Sequence, residues 1–240
     1  TVGMKTVGIL GGMGPEAKVL LMHRMIAATP ARDDSDHIPL IVHQNPQVPS
    51  RIQHLIDGTG EDPGPVLEAM ARGLEAAGAQ ALAMPCNTAH AYTDRIRAAT
   101  RLPFLDMREA TAAVLPKGRI GMLGSPGVRL AGAFDAAFAR AGLTMVWPND
   151  DDAVLGLIRR VKAGDTGKAA QVALAAEAGV LAARSDHLLV ACTELSLLTG
   201  GLDGLAWTDS LDCLVTAIRR FALDQGPSDI TSSAPARSGA

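Results

Sequence analysis

Hydrophobic and polar positions follow two patterns along the chain. Short apolar runs predict buried strands, and longer stretches that are apolar every three or four residues predict helices. The predicted strands are Thr6–Leu10, Ile38–His43, Ala81–Met84, Arg119–Leu123, Leu143–Trp147 and His187–Ala191. The predicted helices are Pro15–Ala28, Val66–Ala77, Arg129–Ala141, Ala153–Lys162, Gly167–Ala183 and Ser210–Leu223. This alternation predicts an α/β fold of parallel sheets flanked by helices.

Proline and glycine mark several element ends. Pro15 suits the first turn of a helix, and Gly78 and Gly142 suit the position just after one. The segment Pro46–Gly64 is rich in both residues, so we expect a loop there, with a short helix at most. Gly226–Ala240 is rich in serine, alanine, proline and glycine, which predicts a mobile tail.

The two halves of the chain resemble each other. Val7–Gly11 resembles Ile120–Gly124, and Ala81–Thr88 resembles Leu188–Glu194, at nearly equal separations in the sequence. Short apolar strands can match by chance, but a cysteine ends both members of the second pair. We therefore expect two pseudo-symmetric lobes with a cleft between them. Lobe 1 is predicted to comprise residues 1–116 and 209–225, and lobe 2 residues 117–208.

Composition excludes several classes of protein. The 240-residue chain is 48% hydrophobic, carries a net charge of −3 and has a pI of about 6.0, so no nucleic-acid partner is expected. No apolar run approaches the roughly 20 residues of a membrane helix. Thr1–Lys5 lacks the features of a signal peptide. The 3 cysteines suggest neither a disulfide framework nor a zinc motif, and we expect a cytoplasmic protein.

Two of the cysteines stand where parallel α/β sheets bind ligands. Cys86 and Cys192 follow predicted strands, and ligands bind beyond the carboxyl ends of such strands. Each is followed by polar residues that open a helix, whose free N–H groups favour a carboxylate or a thiolate. Inverting a carbon requires a base on one face and an acid on the other, and two thiols can exchange these roles. Cys213, in a helical pattern, is expected to be a buried small apolar residue.

Three segments resemble the signature blocks of the aspartate/glutamate racemase family, and the resemblance runs from about Lys5 to Phe221. The segments are Gly8–Pro15, Pro85–His90 and Ala191–Leu195. The resemblance implies two α/β lobes with the site in the cleft, no pyridoxal phosphate, no metal and a homodimer. The wider superfamily includes hydantoin racemases, maleate isomerases and arylmalonate decarboxylases. Retention of both cysteines favours racemisation.

The resemblance also implies a substrate site. Arg51 lies in a segment similar to the carboxylate-binding segment of aspartate racemases, and a guanidinium fork suits a distal carboxylate. Lys162 resembles a family lysine that faces the acidic substrate. The expected substrate is therefore an acidic amino acid, with aspartate favoured and glutamate as the alternative. The predicted set is Cys86 and Cys192 as catalytic residues and Met13, Arg51, Asn87, Thr88, Ser125, Lys162, Thr193 and Glu194 as substrate-binding residues.

Structural roles remain open for some of these residues. Arg51 could be a solvated loop residue, Lys162 a charge at a helix C-terminus, and Glu194 the partner of an arginine. His90 could orient the Cys86 thiol or serve only in packing. The sequence also departs from the family pattern: Val128 stands where a threonine is common, and Asp209–Cys213 lacks a histidine common in relatives. These departures bear on substrate choice.

Other functions compete with racemisation. Gly12–Ala17 fits a relaxed dinucleotide-binding fingerprint, but the second predicted strand ends in His43-Gln44-Asn45 without the ribose-binding acid. No lysine stands in a convincing setting for a pyridoxal cofactor. A zinc site of Cys86, His90 and Cys192 lacks a paired ligand motif. A related isomerase of the superfamily, or a binding module with the same cleft and no catalysis, is the remaining alternative.

Overall fold

The computed structural model describes residues 3–225, which form two sheets flanked by helices. The strands are β1 (Val7–Gly11), β2 (Leu40–Gln44), β3 (Ala81–Ala83), β4 (Phe104–Leu105), β5 (Gly118–Gly124), β6 (Leu143–Val146), β7 (His187–Ala191) and β8 (Trp207–Asp209). The helices are α1 (Pro15–Ala28), α2 (Gly64–Ala76), α3 (Thr93–Ala99), α4 (Met107–Ala112), α5 (Pro126–Leu130), α6 (Asp135–Ala141), α7 (Asp151–Lys162), α8 (Lys168–Ala182) and α9 (Ser210–Ala222).

The two sheets repeat one topology. Their strand orders are β2-β1-β3-β4 and β6-β5-β7-β8, and every pairing is parallel. β1 and β3 therefore occupy in the first sheet the places that β5 and β7 occupy in the second. This confirms the predicted α/β fold of two similar lobes. Because all strands are parallel, their carboxyl ends lie at one edge of each sheet, where ligands bind.

The apolar runs of the sequence form the central strands of the two sheets. All residues of β1 are buried, and β7 is buried from Leu188 to Ala191. Helix α9 places Leu211, Leu214 and Ile218 in the core formed with β1, so the end of the described chain packs against the first sheet. The predicted lobe limits stay a prediction, which this packing supports.

Several elements differ from the predictions, and the short helices α3 and α4 are among those not predicted. β4 and β8 were not predicted, because strands of two and three residues leave almost no periodic signal. The helix predicted over Arg129–Ala141 is instead α5 and α6, separated by a turn in which Gly132 has a φ of +56°. This left-handed backbone, which glycine adopts readily, ends one helix before the next begins.

The predictions for the loop, the helix-terminating glycine and the tail can be compared with the structure one by one. The Pro46–Gly64 segment contains only a short helical stretch that includes one π-helical turn, Gln53–Asp57, as expected. Gly142 has a φ of +65° directly after α6, in the predicted terminating role. The predicted tail, Gly226–Ala240, lies outside the described residues. Within residues 3–225, no helix is both long and apolar enough to cross a membrane.

Candidate active site

A cavity of about 590 Å³ lies at the carboxyl ends of the central strands and receives residues from both lobes. Cys86 follows β3 and Cys192 follows β7, which occupy equivalent places in the two sheets. Eight of the ten predicted site residues line this cavity: Met13, Arg51, Cys86, Thr88, Ser125, Lys162, Cys192 and Glu194. The cavity therefore gathers residues that are far apart in the sequence.

The two thiols are similarly buried. Cys86 is 6% exposed and Cys192 is 5% exposed, so both sulfurs lie in the wall of the cavity with little access to bulk water. Burial disfavours the charged thiolate, and it raises the pKa of Cys86 and raises that of Cys192 well above its ordinary value. Both cysteines are free thiols.

Glu194 connects one of these thiols to a cation. The Cys192 Sγ donates a hydrogen bond to Glu194 Oε2 at 3.2 Å, and Lys162 Nζ donates to Glu194 Oε1. Lys162 is the last residue of α7, so the ion pair joins this helix to the segment after β7. Burial is the largest single influence on Lys162 and lowers its pKa, but the charge and hydrogen bond of Glu194 together with the two neighbouring thiols raise that pKa overall.

Arg51 is placed differently from Lys162. Its Nη1 donates to the carbonyl oxygens of Val48 at 3.1 Å and Pro49 at 2.8 Å, while its Nε is buried without a hydrogen-bond partner. No carboxylate within residues 3–225 forms a salt bridge with it. Apart from burial, the positive charge of Arg51 is the strongest influence on the pKa of Cys86, and it lowers that pKa. Arg51 therefore brings a cation without an anionic partner to the cavity.

Hydroxyl groups from both lobes meet in the cavity wall. Thr88 Oγ1 lies 2.9 Å from Ser125 Oγ, a hydrogen-bond distance between the segment after β3 and the loop after β5. The Ser125 side chain also accepts from Val128 N at 3.3 Å and caps α5. Met13, in the loop after β1, adds an apolar surface that is 2% exposed.

Two predicted residues do not line the cavity. Asn87 Nδ2 donates to Ser210 Oγ at 3.0 Å, and Thr193 Oγ1 donates to Pro85 O at 3.0 Å. Asn87 and Thr193 are 2% and 1% exposed, so their polar groups are used inside the protein. The Thr193 bond joins the segment after β7 to the segment after β3, so it helps to hold the two cysteine-bearing segments together. Substrate contact by Asn87 or Thr193 stays a prediction without support from this arrangement.

His90 supports the backbone behind Cys86. Its Nδ1 lies 2.8 Å from Cys86 O, and Met107 N donates to its Nε2 at 3.3 Å, so the ring donates at one nitrogen and accepts at the other. Burial lowers the pKa of His90 to about 4. The neutral ring lies outside the cavity lining and holds the strand end. Cys213 is buried in α9, where burial raises its pKa to about 12, in agreement with the expected structural role.

Part of the site was not anticipated from the sequence. Ile158 and Val161 of α7 form an apolar part of the cavity wall beside Lys162. Their three- and four-residue spacing on a helix that contains Lys162 was the available signal. The contact between Glu194 and Cys192 was also missed, since no motif spacing encodes a side-chain orientation.

The rival sites receive little support from the geometry. Within residues 3–225, no group of three or more histidine, cysteine, aspartate or glutamate side chains is arranged to hold a metal ion. β2 ends at His43 and Gln44, so no carboxylate stands where a ribose-binding acid is expected.

The fold and the site define a class of two-lobed α/β proteins in which each lobe brings one thiol to a shared cavity. The sequence profile described as Asp/Glu/Hydantoin racemase matches residues 10–218, and the chain belongs to this family. The resemblance predicted from the three sequence blocks is thereby confirmed. The predicted enzyme class, an isomerase acting on amino acids, agrees with this membership.

Individual relatives agree with the family. Picrophilus torridus aspartate racemase is 29% identical with a TM-score of 0.82, covering 91% of this chain and 94% of that one. A Francisella tularensis glutamate racemase in complex with D-glutamate is 14% identical with a TM-score of 0.64, over 92% of this chain and 81% of that one, which shows the shared fold. The broad specificity amino-acid racemase RacX of Bacillus subtilis (strain 168) is 30% identical over 46% of this chain. That match spans about half of the relative, 49% of its length.

Proposed function

We propose that the protein racemises an acidic amino acid without a cofactor, with aspartate as the favoured substrate and glutamate as the alternative. The observation that carries the proposal is the pair of similarly buried thiols, which follow equivalent strands and line one cavity. Membership of the Asp/Glu/hydantoin racemase family supports it independently.

In a two-base mechanism, each lobe supplies one sulfur, and each sulfur acts on one face of the α-carbon. One sulfur, as thiolate, removes the α-proton from one face, and the other, as thiol, donates a proton to the opposite face. The product is the other enantiomer, and the two sulfurs have exchanged protonation states. Both groups are cysteine sulfurs that can act as base or acid, so the same pair can serve both directions.

The charged groups suit an acidic substrate. Within residues 3–225, Arg51 has a buried Nε without a partner and no carboxylate bound to it, so its guanidinium is available for the distal carboxylate. The Thr88 and Ser125 hydroxyls offer donors for the α-carboxylate. The name of the Picrophilus relative, an aspartate racemase, supports the choice of aspartate.

The test is α-proton exchange in D2O without added cofactor. The protein is incubated under reducing conditions with L- and D-aspartate and with L- and D-glutamate, and the α-proton is followed by NMR while chiral chromatography measures inversion. We expect the α-proton of both aspartate enantiomers to disappear as the mixture becomes racemic. The matched control is the double variant Cys86→Ser and Cys192→Ser. Binding of these amino acids with no exchange and no inversion would instead favour a non-catalytic binding module.

A further inference from the structure

The two thiols of the cavity have similar exposure but different charged neighbours. Cys192 donates its hydrogen bond to Glu194 Oε2 at 3.2 Å, whereas no carboxylate within residues 3–225 accepts one from Cys86. The charged groups that act on these thiols are Arg51, Lys162 and Glu194. Arg51 favours a thiolate at Cys86, and Lys162 favours one at both sulfurs. Glu194 disfavours a thiolate at both sulfurs, but it forms a hydrogen bond only with Cys192 among the described residues.

The Glu194 carboxylate is held in place to exert this influence. It is 7% exposed, and its second oxygen, Oε1, is paired with Lys162. The ion pair with Lys162 fixes the position of the carboxylate beside the Cys192 thiol. A thiolate at Cys192 would then place two negative charges at hydrogen-bond distance, whereas a thiol there donates to the carboxylate.

We propose that Glu194 keeps the proton on Cys192 and thereby makes Cys86 the thiol that ionises first. Glu194 is then a positioning residue: it acts through Cys192 and sets the protonation state in which the protein meets its ligand. This assignment replaces a direct substrate contact of Glu194 with a contact to one of the two sulfurs.

The catalytic consequence rests on the proposed function. Once Cys86 is ionised, its thiolate removes the α-proton and becomes a thiol, while Cys192 gives its proton to the opposite face and becomes a thiolate. Before the protein can convert a second molecule of the same enantiomer, Cys192 takes up a proton from water and Cys86 releases one to water. Glu194 favours this reset, and the two enantiomers react with different protonation states of the protein.

Alkylation by iodoacetamide tests the proposal without any substrate. A thiolate sulfur attacks the carbon of the reagent, a thioether forms and iodide leaves, so the rate reports the thiolate fraction. After removal of reductant at neutral pH, peptide mass spectrometry gives the rate at each cysteine. We expect Cys86 to react at least about tenfold faster than Cys192. The reason is that the charge-assisted hydrogen bond to Glu194 stabilises the thiol form of Cys192 and so lowers its thiolate fraction. Their exposures of 6% and 5% give no reason for such a difference from access alone.

Glu194→Gln keeps the size of the side chain and an acceptor oxygen but removes the charge. We expect this variant to raise the alkylation rate of Cys192 by about tenfold and that of Cys86 by much less. Glu177→Gln, on α8 and outside the cavity lining, is the matched control and should change neither rate. Equal rates in the parent protein, a faster Cys192, or an unchanged ratio in Glu194→Gln would overturn the proposal.

A second measurement avoids dependence on one variant. The alkylation rate of each cysteine is followed against pH in the parent protein, and the Cys86 profile should rise at lower pH than the Cys192 profile. The reverse order would overturn the proposal even if Glu194→Gln does not fold. The outcome is separate from the proposed function, because the order of alkylation can hold in a protein that racemises nothing. Conversely, if the protein racemises aspartate but the two alkylation profiles coincide, the proposed function stands and only the role of Glu194 is contradicted.

Discussion

The segments that carry Cys86 and Cys192 occupy equivalent places in the two sheets but are supported by different side chains. Four residues after Cys86, His90 Nδ1 lies 2.8 Å from the Cys86 carbonyl oxygen. Four residues after Cys192, Ser196 Oγ lies 3.5 Å from the Cys192 carbonyl oxygen. The backbone support is thus repeated in position, with a ring in lobe 1 and a small hydroxyl in lobe 2.

The repeated support extends to an aspartate at the carboxyl end of the last strand of each sheet. Asp106 caps α4 and pairs with Arg108 at 2.7 Å, and Asp209 caps α9 and pairs with Arg24 at 2.6 Å. His90 lies 3.9 Å from Asp106, and Ser196 donates to Asp209 at 2.9 Å.

The lobes differ most at the second residue after each cysteine. Thr88 lies there in lobe 1, with its hydroxyl 2.9 Å from Ser125, and Glu194 lies there in lobe 2, bound to the Cys192 thiol. The two lobes therefore share the scaffold that fixes each strand end but differ in the charge beside each sulfur.

The largest expected effect comes from removing either thiol. Cys86→Ser and Cys192→Ser should each reduce the rate of aspartate racemisation by about 10²–10⁴-fold, because one of the two proton-transfer groups is lost. Chiral chromatography of aspartate gives the rate. Similar losses in both variants would show that the lobes contribute equally despite their different support. Racemisation at the parental rate in one of them would remove that cysteine from the mechanism.

A smaller effect is expected from the cation of lobe 1. Arg51→Lys keeps the charge but loses the planar fork, so binding of aspartate should weaken by about 1–3 kcal/mol. Steady-state kinetics with aspartate should show a raised KM. Arg72→Lys, at a side chain that is 55% exposed, is the control. Unchanged kinetics for aspartate in Arg51→Lys would make Arg51 a structural residue of its loop.

The free energy of unfolding should depend on pH through His90, which supports the Cys86 segment, and not through Ser196, which supports the Cys192 segment. Burial lowers the pKa of His90 to about 4 in the folded protein, whereas an unfolded histidine titrates near its ordinary value of 6.5. The neutral ring therefore contributes stability that is complete above about pH 6.5 and lost as the pH falls toward about 4. Between about pH 7 and pH 5, this contribution should fall by about 2 kcal/mol.

The measurement is the free energy of unfolding at both pH values in urea. His90→Gln should lose less stability than the parent protein over this interval, and Ser196→Ala should lose as much as the parent. If His90→Gln and the parent decline in parallel, protonation of His90 is not linked to unfolding.

The smallest effect is expected at the third thiol. Cys213 is 7% exposed in α9 and does not line the cavity, so Cys213→Ala should leave racemisation unchanged and cost about 1 kcal/mol of stability or less. Kinetics and thermal unfolding check the two parts. A loss of activity without a loss of stability would assign Cys213 a role that the comparison of the lobes does not include.

The fold was predictable where burial imposes a continuous pattern. β1, and β7 after His187, are apolar because helices cover both faces of a parallel sheet, and this pattern needs no tertiary information. β4 has only two residues, and its strand conformation depends on pairing with β3, which the local sequence does not encode. The break at Gly132 was missed because the helical pattern continues across it.

The candidate site was predictable where a residue follows a strand. Cys86 and Cys192 follow strands, and the parallel topology brings such residues to one edge. Side-chain direction was not predictable, as Asn87 and Thr193 show: both follow a cysteine directly, yet both bond within the protein. The bond from Cys192 to Glu194 depends in addition on Lys162, a residue of another helix.

The most direct test of the central claim, that one thiol acts on each face of the α-carbon, is deuterium exchange in the single-cysteine variants. Cys86→Ser and Cys192→Ser are each incubated in D2O with L-aspartate or D-aspartate, and incorporation at the α-carbon is followed by NMR. The account predicts that each variant exchanges one enantiomer without inverting it and that the two variants prefer opposite enantiomers. From the family resemblance we expect Cys86→Ser, which keeps Cys192, to exchange the L isomer, and Cys192→Ser, which keeps Cys86, to exchange the D isomer. Exchange of the same enantiomer by both variants would contradict the account.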